Sequence, residues 1–216
     1  MSESDEVTTS CKRGARREEK RAKIVQVAQR HFTEHGFGNT TMSAIAADLG
    51  GSKTTLWSYF SSKEDLFAAA LDDWIDRVKP VFDVQREGTL QETLNRYGCE
   101  FLRQMLSPQI QTLFRLMIAE GQRFPKMGHI FYERAPLRRQ KALACYLEWE
   151  MAEGNFRKVD GLRASAQFHH LCFYRLFMHS MWGLEPDTSP AAIRSEVEEA
   201  VEMFLFGYAT GQQHPA

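Results

Sequence analysis

Between Lys53 and Tyr59 every side chain except Leu56 can donate a hydrogen bond: Lys53, Thr54, Thr55, Trp57, Ser58 and Tyr59. Donors this dense on one short segment suit the edge of a double-stranded nucleic acid. A lysine pairs with the acceptor atoms of guanine, and a threonine offers a hydroxyl and a methyl group. Lys53, Thr54 and Thr55 stand first in the run, where side chains would reach base edges. Thr41, Trp57, Tyr59 and Lys63 suit phosphate oxygens, contacts that fix register without reading sequence. Ser43 and Ser58 complete the DNA-facing set, and plain packing is the other reading of Tyr59.

Two short helices must position these donors. Met42, Ile45, Ala46 and Leu49 recur at i, i+3, i+4 and i+7, one apolar face of a first helix. Gly50-Gly51 stops it, since glycine tolerates the left-handed backbone just past a helix end. Ser52 is an N-cap candidate for a second helix ending near Phe60, with Leu56 and Phe60 as its inner stripe. The arrangement is a helix-turn-helix whose second helix enters a major groove.

The stretch resembles the DNA-binding signature of the tetracycline-repressor (TetR) family of bacterial regulators. The residues that carry the resemblance are Thr41, Ile45-Ala46, Leu49-Gly50-Gly51-Ser52, Thr55-Leu56-Trp57-Ser58-Tyr59-Phe60 and Lys63-Glu64-Asp65-Leu66. Gly51 stands where the family pattern has an apolar residue, usually valine, which should loosen the turn slightly; Trp57 replaces the usual tyrosine but keeps an N–H donor. The resemblance implies a Tyr59 hydroxyl on a phosphate. The segment 114–136, FRLMIAEGQRFPKMGHIFYERAP, also resembles the AefR-like subgroup of C-terminal domains, through Arg115, Glu120, Arg123-Phe124-Pro125 and Phe131-Tyr132.

Bulk composition neither supports nor opposes DNA binding. The 216 residues are 43% hydrophobic and 25% charged with a net charge of −1, so any affinity for phosphate must come from local placement of charge. Eight Lys or Arg between Lys12 and Arg30 are either a solvated face or, as the resemblance implies, a phosphate or minor-groove contact. No apolar run has membrane-spanning length and no secretory signal opens the chain, so a cytoplasmic protein with no membrane partner is expected. Cys11, Cys99, Cys145 and Cys172 have no metal or redox spacing and read as free thiols, three of them packed as small hydrophobes. His169, His170 and His179 share one helix without a carboxylate at ligand spacing and read as core or interface residues. No cofactor, metal site or catalytic residue is expected. An all-helical enzyme is the rival class, without a nucleophile elbow, metal motif or phosphate loop to support it. Glu148 and Glu150 flank Trp149, but paired glutamates on a helix are usually solvated.

The expected architecture is all-α: a disordered N-terminal arm over 1–16, a three-helix head over 17–62, and a helical effector-binding and dimerisation domain over 63–216. Helix one ends at Gly36-Phe37-Gly38, with Ile24, Val27, Ala28, His31 and Phe32 inward. Ser62 opens helix four, whose stripe of Phe67, Ala70, Leu71, Trp74, Ile75 and Val78 runs to Pro80 and ties the head to the rest without a flexible linker. Further helices are expected over 89–106, 108–121, 127–134, 137–153, 162–182 and 190–208, and no strand.

Large flexible and aromatic side chains crowd this second part: Trp74, Phe82, Tyr97, Phe101, Met105, Phe114, Met117, Phe131, Tyr146, Trp149, Phe173 and Phe177. They are either plain core or the wall of a pocket. The resemblance implies a pocket, whose lining would suit a small hydrophobic or aromatic effector better than a charged one. It also implies a homodimer built on the last two helices. Phe168, Leu171, Cys172, Met178 and Trp182 form one stripe; Ile193, Val197, Val201, Phe204, Leu205 and Tyr208 form the other. The function expected is a sequence-specific DNA-binding regulator, a repressor released from a palindromic operator by its effector. A constitutive regulator with a solid core is the alternative.

Overall fold

The computed structural model describes the backbone of residues 3–77 and 84–210, with side chains from Gly14 onward. Among the described residues the fold is helical: α1 (Glu3–Asn39), α2 (Met42–Asp48), α3 (Lys53–Trp57), α4 (Lys63–Arg77), α5 (Leu90–Met105), α6 (Pro108–Glu120), α7 (Pro125–Arg134), α8 (Pro136–Ala152), α9 (Gly161–Met181) and α10 (Pro190–Tyr208). Among the described residues there is no strand, and β pairing amounts to one isolated bridge, Phe156 with Ala209. No described helix is long and apolar enough to cross a membrane. Phe82, Val78 and Pro80 lie outside the described residues, as does the side chain of Cys11.

The segment expected as a disordered arm is helical backbone from Glu3 on. It holds no proline, and its single glycine, Gly14, costs a helix only about 1 kcal/mol. The end of α1 is as expected: Gly36 breaks the helical dihedrals with φ 78° and ψ 165°.

The chain divides into two compact units, and the division differs from the expected boundary at residue 62. The first unit takes everything up to Arg77 together with Leu116–Phe131; the second takes the remainder, through Arg115 and from Tyr132 on. Helix α4 therefore belongs to the head. Its Leu66, Phe67, Ala70 and Leu71 are buried with Ile24, Ala28 and Phe32 of α1 and Ile45 of α2. Phe37 closes this core, with ring centroids 5.5 Å from Phe32, 5.5 Å from Phe67 and 5.1 Å from Phe124. Gln29 pins α1 to α4 by donating to the Ala70 carbonyl at 2.9 Å and to Asp73 at 2.7 Å. Of the expected inner face of α1, Val27 is only half-buried, and Val25 takes an inner place instead.

The second unit is built from α5, α8, α9, α10 and the first turns of α6. Thr89 and Glu92 form a reciprocal capping box at the start of α5. Leu94, Tyr97, Phe101 and Leu102 of α5 then pack with Leu143, Tyr146 and Leu147 of α8, Phe168 and Cys172 of α9, and Val197, Val201 and Phe204 of α10. Gly98 is what lets α5 and α10 approach: a Cβ there would lie 2.6 Å from Val197 Cγ1 and 3.3 Å from Cys172 Sγ.

Candidate nucleic-acid interface

The helix-turn-helix is held by side-chain caps that the sequence supplies. Thr41 accepts from the Ala44 amide at 3.1 Å to open α2, and Ser52 accepts from the Thr55 amide at 3.2 Å to open α3. Gly50, at φ 64°, makes the turn between them. Gly51 is exposed and a Cβ there would meet nothing within 4 Å, so the glycine is not required by packing at this position. Beside the turn lies a cleft of about 700 Å³ whose lining includes Arg16, Lys20 and Lys23 of α1 with Gly50, Ser52 and Thr55.

The expected DNA-facing residues divide by exposure. Thr41, Ser43, Lys53, Thr54, Trp57 and Ser58 are exposed, Trp57 to 50%. Thr55 and Tyr59 are half-buried. Thr55 shares a 3.0 Å hydroxyl contact with Ser52, and Tyr59 lies in the turn after α3, its ring 5.7 Å from the Arg17 guanidinium carbon. Helix α3 ends at Trp57, three residues earlier than the apolar spacing suggested, because Ser58 caps it by donating to the Thr55 carbonyl at 2.7 Å.

Lys63 is a correction. Its ammonium donates to the Phe37 carbonyl at 2.7 Å and the Thr40 carbonyl at 3.0 Å, and sits 4.2 Å from the centre of the Phe37 ring. Burial lowers its pKa from the ordinary lysine value. Two carbonyls left free where α1 ends hold this ammonium against the end of the helix, so the phosphate role gives way to a structural one. Nearby, the Glu120 carboxylate accepts from the Gly38 amide at 2.9 Å, directly ahead of the Thr41 cap. The sequence offers no local signal for that contact, which spans 82 positions.

The residues expected to form an effector pocket do not gather in one unit. Trp74, Met117 and Phe131 fall in the first; Tyr97, Phe101, Met105, Phe114, Tyr146, Phe173 and Phe177 fall in the second. In the second, Tyr97, Phe101, Phe114, Phe173 and Phe177 make a continuous aromatic cluster with His169, Phe101 lying 4.6 Å from His169, Phe114 5.0 Å from Phe177 and Phe173 5.3 Å from Phe177. Burial raises the phenol pKa of Tyr97 and of Tyr146. His169 is a core residue, as one reading of the sequence had it, and burial pushes its pKa down to about 3. Glu150, expected to be solvated, is buried and accepts from the Asn155 amide group at 2.9 Å. Cys172 is buried, Cys99 half-buried and Cys145 exposed.

The expected dimer stripes need the largest revision. Phe168, Cys172, Val197, Val201, Phe204 and Leu205 are buried inside the chain's own core; Met178 and Tyr208 are half-buried, and only Trp182 is exposed. The exposed apolar residues of α9 and α10 include instead Tyr174, Met203 and Phe206, at 58%, 64% and 47% exposure. A groove of about 790 Å³ runs along this outer face, lined in part by Leu171, Tyr174, Met203 and Tyr208.

Residues 24–70 match the model of the tetR family of bacterial regulatory proteins, and residues 92–210 match that of the AefR-like transcriptional repressor C-terminal domain. The chain belongs to the TetR family. This TetR-family protein is a DNA-binding transcriptional regulator and not an enzyme. It is similar to the Flavonoid-responsive Regulator FrrA, at 30% identity over 90% of this chain and 100% of that one, with a TM-score of 0.82. A TetR-family regulator from Mesorhizobium loti shares the fold, at 22% identity, 89% and 98% coverage and a TM-score of 0.75. The HTH-type transcriptional regulator Rv1816 of Mycobacterium tuberculosis is 30% identical over 87 residues, 39% of this chain and 37% of that protein. The TetR-family chain thus spans little more than a third of the length of that curated relative.

Proposed function

We propose that this protein is a homodimeric repressor that reads a palindromic operator with α3 and is released by a small aromatic effector held among the helices of the second unit. The observation that carries the reading is the exposed set Lys53, Thr54 and Trp57 on a capped helix beside the basic cleft of α1. Dimerisation through the outer face of α9 and α10 is supported by Tyr174, Met203 and Phe206, since an apolar face of this kind is a typical place for helices of a second copy. The name of FrrA, a flavonoid-responsive regulator, supports a polycyclic aromatic effector.

Release follows from chain continuity. Helix α6 gives its first turns to the second unit and Leu116–Glu120 to the first. Glu120 holds the Gly38 amide, so a shift of α6 on effector binding displaces the segment that leads into α2. A coupling of about 1–3 kcal/mol weakens operator binding roughly 5–150-fold.

Selection from a random DNA pool is expected to yield a near-palindrome with half-sites about one helical turn, ~34 Å, apart or somewhat more, bound by an even number of chains. Adding 7-hydroxyflavone to that complex is expected to release the DNA. Selection of a non-symmetric site bound by a single chain would defeat the dimeric reading. A complex indifferent to aromatic compounds would favour the constitutive alternative.

A further inference from the structure

A half-buried cation in the second unit carries a sealed donor that lacks the acceptor buried donors require. Arg139 of α8 has its Nε sealed from solvent with no hydrogen-bond partner in the protein. Its Nη1 reaches only the Met105 sulfur, at 3.9 Å, and its guanidinium carbon stands 5.0 Å from the centre of the Phe101 ring. No carboxylate among the described residues pairs with it, and removal from water lowers its pKa from the ordinary arginine value. A guanidinium stays charged in proteins, and its planar donors are matched best by a carboxylate or phenolate oxygen.

The neighbouring polar groups define what else a ligand would meet. His169 Nδ1 lies 2.7 Å from the Ser165 carbonyl, which can only accept, so Nδ1 carries the proton. His169 Nε2 is then an acceptor, and the Tyr97 hydroxyl donates to it at 2.8 Å. Tyr97 has spent its only proton and presents oxygen lone pairs, and its hydroxyl feels the Arg139 charge. The aromatic face of Phe101 stands beside both Arg139 and His169. The site is one cationic donor without an acceptor, one phenolic acceptor and an aromatic wall.

We propose that Arg139 is the anchor of the effector site, and that the effector is an aromatic molecule carrying an ionised oxygen, phenolate or carboxylate, directed at its guanidinium. The inference rests on the effector-responsive reading above. It reverses the sequence-level expectation that a charged compound fits this lining poorly. The apolar wall selects the ring system, and Arg139 selects the charge.

The test is calorimetric binding to the full chain at pH 8 with two matched pairs of probes. These are 7-hydroxyflavone against 7-methoxyflavone, and 2-naphthoate against methyl 2-naphthoate. The pair that discriminates distinguishes phenolate from carboxylate recognition. The wild type is expected to bind the ionised member of one pair roughly 10–100-fold more tightly than its methylated partner. Arg139→Met is expected to lose that preference while still binding the methylated compound, and to melt no lower than the wild type, because it removes a buried donor that lacks a partner. Arg139→Gln serves if the Met variant fails to fold. Equal binding of both members by the wild type, or a preference that survives in the variant, overturns the anchor and leaves the effector reading standing. No binding of any probe, with operator DNA still held in their presence, overturns both.

Discussion

Val201→Glu is expected to unfold the second unit. Val201 is fully buried in the cluster that joins α5, α9 and α10, so the new carboxylate would be sealed among apolar side chains. An uncompensated buried charge costs roughly 3–5 kcal/mol, against a total stability of about 5–15 kcal/mol for a typical domain. Circular dichroism should show a lost or strongly lowered melting transition. Met203→Glu, two positions along α10 but 64% exposed, is expected to leave the melt of the isolated chain within a few degrees while splitting the proposed dimer in sedimentation. The opposite pattern, a stable Val201 variant and an unfolded Met203 variant, would invert the assignment of inner and outer faces.

That pair of residues shows where sequence reading reached its limit. Helices α9 and α10 each carry apolar residues on more than one face, and periodicity finds a stripe without saying whether it faces its own chain or another. The stripes with the cleanest spacing proved to be the internal seam. The exposed face is looser, with Tyr174, Met203 and Phe206 interleaved by Arg175 and Glu202. The helix-turn-helix was legible because its signals are local: Thr41 and Ser52 cap within three residues, Gly50 supplies the turn, and Met42, Ile45 and Ala46 all lie inward. Lys63 was misread because its partners, Phe37 and Thr40, lie more than twenty positions upstream. Arg139 gave no signal at all, since an arginine beside Arg138 in a mixed helix reads as solvated until its neighbours are placed.

Acid lability is the second large effect, and it originates at His169. Burial, the Arg139 charge and the His170 charge hold the His169 pKa near 3, against the lowering-resistant hydrogen bond to the Ser165 carbonyl. In the unfolded chain the group titrates near 6.5. Between these values the unfolded state binds the extra proton, so stability rises with pH across the window and is lost as pH falls from about 6.5 toward 3. Moving from pH 7 to pH 5 should cost about 2 kcal/mol from this residue alone. The denaturant midpoint at the two pH values measures it, and His169→Gln should remove most of the difference. Asp48, Asp65 and Glu92 have lowered carboxylate pKa values, so they destabilise the fold only at still lower pH. A wild-type midpoint that does not move between pH 7 and 5 would mean that His169 is not held neutral in the fold.

In the proposed operator complex, α3 reads bases through Lys53. The most direct measurement is the affinity of the wild type and Lys53→Ala for the selected operator and for each of its single-base variants, repeated across salt concentrations. Lys53 is exposed at the first turn of α3, where a lysine can bind the acceptor edge of a guanine. The wild type is expected to discriminate against substitution at one symmetric position per half-site by about 1–3 kcal/mol, and Lys53→Ala to lose that discrimination there while keeping it elsewhere. A variant that retains the full base preference of the wild type at every position would contradict the assignment of α3 as the reading helix.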